Sequence, residues 1–267
     1  MYGKALKTIM RNKPITFAIF AIFALVLAVA THPAHSASGP AKGVRNIVLV
    51  HGAFADGSSW AKIIPLLQAD GYTVTAVQNP LTSLDDDVAA TKRAIDTQNG
   101  RVLLVGHSWA GAVITQAGTN PKVAGLVYVN AFAPDTGQSV GDLGQGYPTP
   151  PGNSAFQQGG GFVWMSPAGI AQFFAPDLPR SETDVIASTQ GPIAAVCFTA
   201  KVSNAAWKTR RSWFIVGSHD QMIDPGLERA MAKKIGATTL ELDSSHVPML
   251  SQPEKVASFI AGAAATL

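Results

Sequence analysis

From residue 45 onward, short apolar runs rich in β-branched residues alternate with longer amphipathic segments, and this alternation restricts the fold more than any other feature. Six apolar runs predict strands at residues 46–50, 72–77, 102–105, 125–129, 213–216 and 238–242. Five amphipathic segments predict helices at residues 59–69, 84–97, 109–118, 227–235 and 253–264. Strands that alternate with helices in this way build a parallel sheet. We therefore expect an α/β fold with a mostly parallel sheet flanked by helices.

The alternation stops between Ala133 and Trp207, where Gly, Pro and aromatic residues become frequent. A segment this long inside a compact domain is usually functional. We interpret residues 134–207 as an inserted lid, with short helices at 166–174 and 182–189. Aromatic side chains predict an apolar substrate pocket lined by Phe54, Phe162, Trp164, Phe173 and Phe174. The alternative is that these rings pack the lid onto the domain.

The first 37 residues contain four basic residues and no acidic one, and the 16 residues from Ile15 to Ala30 carry no charge. A charged start followed by an apolar stretch and small residues is typical of a secretory signal. Because 16 residues are fewer than the roughly 20 that span a bilayer, residues 1–37 predict a signal peptide rather than an uncleaved inner-membrane anchor. Residues 38–44 read as a linker, residues 45–267 as the domain, and the protein as periplasmic or extracellular.

Charge and cysteine content exclude several classes of protein. Four of the 20 basic residues lie in the leader, which leaves 16 basic beside 17 acidic residues in the rest of the chain. The rest of the chain therefore lacks the clustered Lys and Arg that bind the phosphates of a nucleic acid. The single cysteine, Cys197, permits no internal disulfide and no cysteine zinc cluster.

Three consecutive aspartates at 85–87 follow Ser83 at the start of a predicted helix, where they favour capping over metal binding. We expect no metal.

A serine stands between a predicted strand and a predicted helix, in the motif G-H-S-W-A-G of residues 106–111. A tight turn from strand to helix holds such a serine in a strained conformation with its hydroxyl above the end of the sheet. Ala110 occupies the last position of the general pattern G-x-S-x-G, and alanine is small enough to preserve the turn. We predict Ser108 as a nucleophile.

A serine hydroxyl attacks only when a base takes its proton, and an acid must orient that base. In this architecture the acid and then the histidine follow the serine along the chain, and among the six histidines only His246 fits that order. Asp220 comes just after the strand at 213–216 and is the predicted acid. The alternative acid, Asp224, is also placed to cap the next helix.

Negative charge develops on the carbonyl oxygen during attack, so backbone N–H donors must face it. Trp109, the residue after the nucleophile, provides one predicted donor. The second is expected from the loop after the first strand, where Ala53 is preferred and Phe54 is the alternative. Gly52 allows a close backbone approach in this loop, and His51 is expected to brace it.

Four motifs together resemble the α/β-hydrolase superfamily: V-L-V-H-G-A at 48–53, the serine turn at 106–111, G-S-H-D at 217–220 and S-H-V-P-M-L at 245–250. The first and last motifs are similar to the branch that contains plant methyl esterases, hydroxynitrile lyases and bacterial esterase-like proteins. The lyases of this branch carry Thr at the position of Gly52 and Lys at that of Val247. The resemblance therefore implies the α/β-hydrolase fold and an esterase rather than a lyase.

The resemblance also implies a mechanism. Ser108, His246 and Asp220 would form a triad that needs no cofactor and cleaves small to medium apolar carboxylic esters through an acyl-enzyme. A cofactor-free haloperoxidase-like perhydrolase or a carbon–carbon bond hydrolase would use the same triad. A ligand-binding protein on this fold that does not turn over is the non-enzyme alternative.

Overall fold

A computed structural model describes residues 43–267 of the 267-residue chain. The leader at 1–37 and most of the linker at 38–44 lie outside the described residues, so the signal peptide and export stay predictions. Within the described part, no helix combines the length and the apolarity needed to cross a bilayer.

Six parallel strands form the central sheet and confirm the expected fold class. The strands of residues 43–267 are β1 Asn46–Val50, β2 Thr73–Val77, β3 Val102–Ser108, β4 Val123–Ala131, β5 Phe156–Gly159, β6 Phe162–Met165, β7 Ile193–Ala194, β8 Arg211–Gly217 and β9 Thr238–Leu242. The central sheet has the order β2-β1-β3-β4-β8-β9. Because all six strands run in one direction, the residues that follow β1, β3, β4 and β8 meet at one edge of the sheet.

Helices flank this sheet. Their bounds are α1 Ile64–Ala69, α2 Leu84–Asp96, α3 Ala110–Ala117, α4 Val140–Leu143, α5 Pro167–Gly169, α6 Arg180–Thr189, α7 Pro225–Lys234, α8 Pro248–Ser251 and α9 Pro253–Ala265. The predicted helix at 59–69 is instead a 3₁₀ turn at Gly57–Trp60 followed by α1. Pro65 explains the break, because proline lacks an N–H and is tolerated only in the first turn of a helix.

The core lies along the middle of the central sheet. Every residue of β1, β3 and β4 is buried, as expected for parallel strands that are covered on both faces. On the flanks, α2 packs against α3, and α1 packs against α9. Each buried Val or Leu side chain stabilises the fold by about 1.5–3 kcal/mol, so this interior holds the ends of β1, β3, β4 and β8 firmly in place.

Residues 132–210, called the insertion here, connect β4 to β8 and contain a separate three-stranded antiparallel sheet of β5, β6 and β7. The sequence analysis predicted no strand in the lid, so this sheet was not expected. Gly160 and Gly161 have φ of 58° and 83° and form the tight turn of a β-hairpin. The predicted helices at 166–174 and 182–189 correspond to α5 with a π-helical turn at Ile170–Phe174, and to α6.

Candidate active site

Ser108 lies at the end of β3, on the turn into α3, with φ of +55°. This left-handed conformation costs a residue with a side chain about 1–3 kcal/mol, and the surrounding structure holds it. A Cβ on Gly106 would lie 2.8 Å from the Ala110 carbonyl oxygen, and a Cβ on Gly111 would collide with the Phe132 carbonyl. The turn therefore needs glycine at 106 and 111, whereas alanine fits at 110.

The structure brings the three residues predicted as a triad into one hydrogen-bonded chain. His246 Nε2 lies 2.9 Å from Ser108 Oγ, and His246 Nδ1 lies 2.6 Å from Asp220 Oδ2. Both His246 and Asp220 are buried. Asp224, the alternative acid, instead accepts a hydrogen bond from Leu227 N at 3.0 Å and caps α7. The geometry allows His246 to take a proton from Ser108 while Asp220 holds the imidazole.

The Asp220 carboxylate is held from several sides. Its Oδ1 accepts from Met222 N and Ile223 N at 2.7 and 3.0 Å, and its Oδ2 accepts from Asn130 Nδ2 at 3.0 Å. Burial alone would raise the pKa of Asp220, but the charge of His246 and these hydrogen bonds lower the pKa below its ordinary 3.8. Asp220 is therefore ionised at neutral pH.

Asn130 is a site residue that the sequence analysis missed. It is fully buried near the end of β4, has φ of +42°, and donates from Nδ2 to both Asp220 and the Ser245 carbonyl. A polar residue inside an otherwise apolar buried strand was the available signal. Its amide joins the acid to the loop that carries His246.

The loop that carries His246 is fixed by the core on one side and by the insertion on the other. His107 Nε2 donates to the His246 carbonyl at 2.8 Å, and burial lowers the pKa of His107 well below 6.5, so His107 is neutral. Asp177 of the insertion accepts from Ser245 N at 3.0 Å and also from the Ser245 hydroxyl. The ring of Phe174 packs edge-on against His246, with centroids 5.1 Å apart.

The predicted oxyanion donors lie beside Ser108. Among residues 43–267, no acceptor receives a hydrogen bond from the backbone N–H of Ala53, Phe54 or Trp109. A Cβ on Gly52 would lie 2.7 Å from Ser108 Cβ, so glycine at this position lets the loop approach the nucleophile closely in this chain. His51 braces the loop as expected, since Nδ1 donates to the Gly52 carbonyl at 2.9 Å and Nε2 accepts from Asn79 N at 2.9 Å.

One of the three consecutive aspartates does more than stabilise the start of α2. Ser83 caps the helix by accepting from Asp86 N, whereas Asp87 is fully buried and accepts from Trp109 Nε1 and Leu81 N, both at 2.8 Å. This corrects the interpretation of all three as capping residues. Asp87 fixes the side chain of Trp109, the residue next to the nucleophile.

Asp87 is expected to make stability depend on pH. Burial raises its pKa from 3.8 to about 6, against the hydrogen bonds from Trp109 and Leu81, which lower it. Between pH 3.8 and about 6, Asp87 keeps its proton in the folded state but has released it in the unfolded state. The free energy of unfolding therefore falls by about 3 kcal/mol as pH rises through this range. Urea unfolding of wild type and Asp87→Asn, below pH 3.8 and above pH 6, measures this change. As pH rises, the free energy of unfolding of wild type should fall relative to that of Asp87→Asn. A constant difference between the two proteins would contradict the raised pKa of Asp87.

A cavity of about 540 Å³ opens at Ser108 and His246, a size suited to a small organic molecule. Its walls carry six aromatic side chains: Phe54, Trp109, Phe132, Tyr147, Phe156 and Phe198. Four of these rings belong to the insertion, which therefore forms part of the cavity wall. Within the described residues, His, Cys, Asp and Glu form no cluster of three or more suited to a metal ion.

Only Phe54 of the five residues predicted for the substrate pocket lines this cavity. Phe162 and Trp164 lie on the other face of β6 from Val163, which does line it, because side chains alternate along a strand. Phe173 packs against the core outside the cavity wall, and Phe174 packs against His246. The cavity rings that the sequence analysis missed are Phe132, Tyr147, Phe156 and Phe198.

Comparison with known proteins identifies the chain as a hydrolase. The chain belongs to the alpha/beta hydrolase family, whose sequence profile matches residues 47–259. It is 25% identical over 258 residues to Methylesterase 1 of Arabidopsis thaliana, covering 82% of this chain and 95% of that protein. It is 24% identical over 249 residues to the pyrethroid hydrolase of Sphingobium wenxiniae, covering 82% and 87%.

Solved structures show the same fold. Polyneuridine aldehyde esterase superposes with a TM-score of 0.72 at 19% identity, covering 82% of this chain and 99% of that one.

A further sequence relative, an alpha-hydroxynitrile lyase of Arabidopsis thaliana, is 35% identical over 106 residues, which is 34% of this chain and 41% of that protein. The predicted resemblance to the branch with plant methyl esterases and hydroxynitrile lyases is confirmed.

Proposed function

We propose that the protein is a serine hydrolase that cleaves carboxylic esters of small to medium apolar substrates. The observation that carries this proposal is the chain of hydrogen bonds from Ser108 through His246 to Asp220, which opens into an aromatic cavity. Relatives named methylesterase and pyrethroid hydrolase support ester substrates.

In the proposed reaction, Ser108 Oγ attacks the ester carbonyl carbon while His246 Nε2 takes the hydroxyl proton. Asp220 stabilises the imidazolium, and the N–H groups of Ala53 and Trp109 bind the oxyanion. The C–O bond then breaks, and His246 returns the proton to the leaving alcohol. Water, deprotonated by His246, attacks the acyl-enzyme, and the acid leaves as Ser108 regains its proton. All charges are balanced within this cycle without a cofactor.

Val163 is expected to limit the length of the acyl chain. The cavity has mostly apolar walls, and Val163 contributes to them from β6, so Val163→Phe would place a ring inside the cavity. We expect kcat/KM for medium-chain p-nitrophenyl esters to fall about 10-fold or more relative to the acetate. Trp164→Phe is the matched control, because position 164 lies on the opposite face of the same strand. Identical chain-length profiles for wild type and Val163→Phe would show that substrate does not reach this wall.

The proposal is tested by following p-nitrophenol release from short-chain and medium-chain esters, with the initial burst that an acyl-enzyme produces. The other chemistries open to this triad are assayed in parallel with hydrogen peroxide plus acetate and with β-diketones. Turnover of either of those without ester hydrolysis would replace the proposed function. Tight binding of an ester without product would identify a ligand-binding protein instead.

A further inference from the structure

A second fully buried carboxyl group lies next to the triad acid. Glu228, in α7, is fully buried, and its carboxyl lies within hydrogen-bonding reach of Asp220. Its Oε2 accepts from Gly217 N at 3.1 Å. Among residues 43–267, no group donates to its Oε1. The mechanism described so far gives this carboxyl no role.

Two buried carboxyl groups in contact cannot both be ionised, because their charges repel strongly where water is absent. Asp220 receives hydrogen bonds from His246, Asn130, Met222 N and Ile223 N. Glu228 receives one, from Gly217 N. The negative charge is therefore on Asp220 and the proton on Glu228. Burial, with the added charge of Asp220, raises the pKa of Glu228 well above 4.5.

We propose that Glu228 is a positioning residue that stays protonated and donates its carboxyl O–H to the Asp220 carboxylate. The inference rests on the proposed triad. Donation from Glu228 withdraws charge from Asp220 and limits how strongly Asp220 stabilises protonated His246.

The other charged and titratable groups around the triad are either neutral or paired with other residues. His107, packed against His246, is neutral because burial lowers its pKa. Asp177 is engaged by Ser245, and the exposed Arg229 pairs with Glu241, with Nη2 to Oε1 at 2.6 Å. Glu228 is thus the neighbour whose protonation acts directly on Asp220.

Two variants test the donor. Glu228→Gln keeps an N–H donor for Asp220 and an oxygen for Gly217 N, so the acid limb of kcat/KM against pH is expected at the wild-type position. Glu228→Leu removes the donor, so protonated His246 is stabilised and the acid limb moves about 1 pH unit higher. An acid limb at lower pH in Glu228→Gln would show that Glu228 was charged, and an unmoved limb in Glu228→Leu would show a structural role only. Either result overturns the proposal.

A measurement without substrate keeps this test separate from the proposed function. Infrared spectra at pH 8, where Asp87 with its pKa of about 6 is ionised, detect the carbonyl stretch of a protonated carboxyl. The band is expected in wild type and absent from Glu228→Gln. A wild-type spectrum without it would overturn the proposal even if Glu228→Leu fails to fold. If the protein hydrolyses no ester, the proposed function fails while this spectrum still decides the protonation of Glu228.

Discussion

Ser108→Ala is expected to abolish ester hydrolysis, with a loss in kcat of roughly 10⁶-fold. The hydroxyl is the only group of the site that can form the acyl-enzyme, and the methyl side chain leaves His246 Nε2 without the proton it would accept at 2.9 Å. The burst and the steady-state release of p-nitrophenol would both disappear. Stopped-flow absorbance on short-chain esters measures both phases in one experiment.

The loss has to be distinguished from misfolding and from non-specific hydrolysis. Alanine fits the space of Ser108 and adopts φ of +55° at a cost close to that of serine, so the thermal unfolding midpoint should stay near that of wild type. Ser188→Ala in α6 is the matched control, because that serine is exposed and donates only to a backbone carbonyl in its own helix. Equal turnover by Ser108→Ala and wild type would exclude the serine mechanism.

The central sheet could be predicted because each buried parallel strand is a short β-branched run with a clear start. The ends of the strands were less predictable than their positions. β3 continues to Ser108 beyond the predicted end at 105, since Gly106 and His107 pair with β4 although neither is a typical strand residue. The small sheet of the insertion was missed because its strands are short and partly exposed, and because its turn is a Gly pair inside a Gly-rich run.

The order of Ser108, Asp220 and His246 could be read from the sequence, because the motif around each residue is local. The residues that support the triad could not be predicted from the sequence. Asn130 and Glu228 reach Asp220 from positions 90 and 8 residues away in the sequence, and only the meeting of β4, β8 and α7 reveals the contacts. The residues of the cavity wall were mispredicted for the same reason, because the packing of the insertion decides which face of β6 points into the cavity.

Asp220→Asn is expected to lower kcat by about 10⁴-fold while the fold is preserved. Asp220 Oδ2 accepts a hydrogen bond from His246 Nδ1 at 2.6 Å, which leaves Nε2 free to accept the Ser108 proton. An amide placed there can donate to Nδ1 and favour the tautomer with its proton on Nε2, which cannot act as the base. The charge that stabilises the imidazolium is lost as well. Steady-state kinetics over a range of pH measures the effect.

Asp224→Asn provides the matched control, because it makes the same chemical change four residues along the chain. Asp224 caps α7 through Leu227 N, and asparagine caps a helix about as well as aspartate, so the variant should retain most of its activity and stability. A larger loss of kcat in Asp224→Asn than in Asp220→Asn would reassign the acid. The sequence favours Asp220 and keeps Asp224 as the alternative, and in the structure only Asp220 contacts His246. This pair of variants therefore tests whether the contact with His246 is what activity requires.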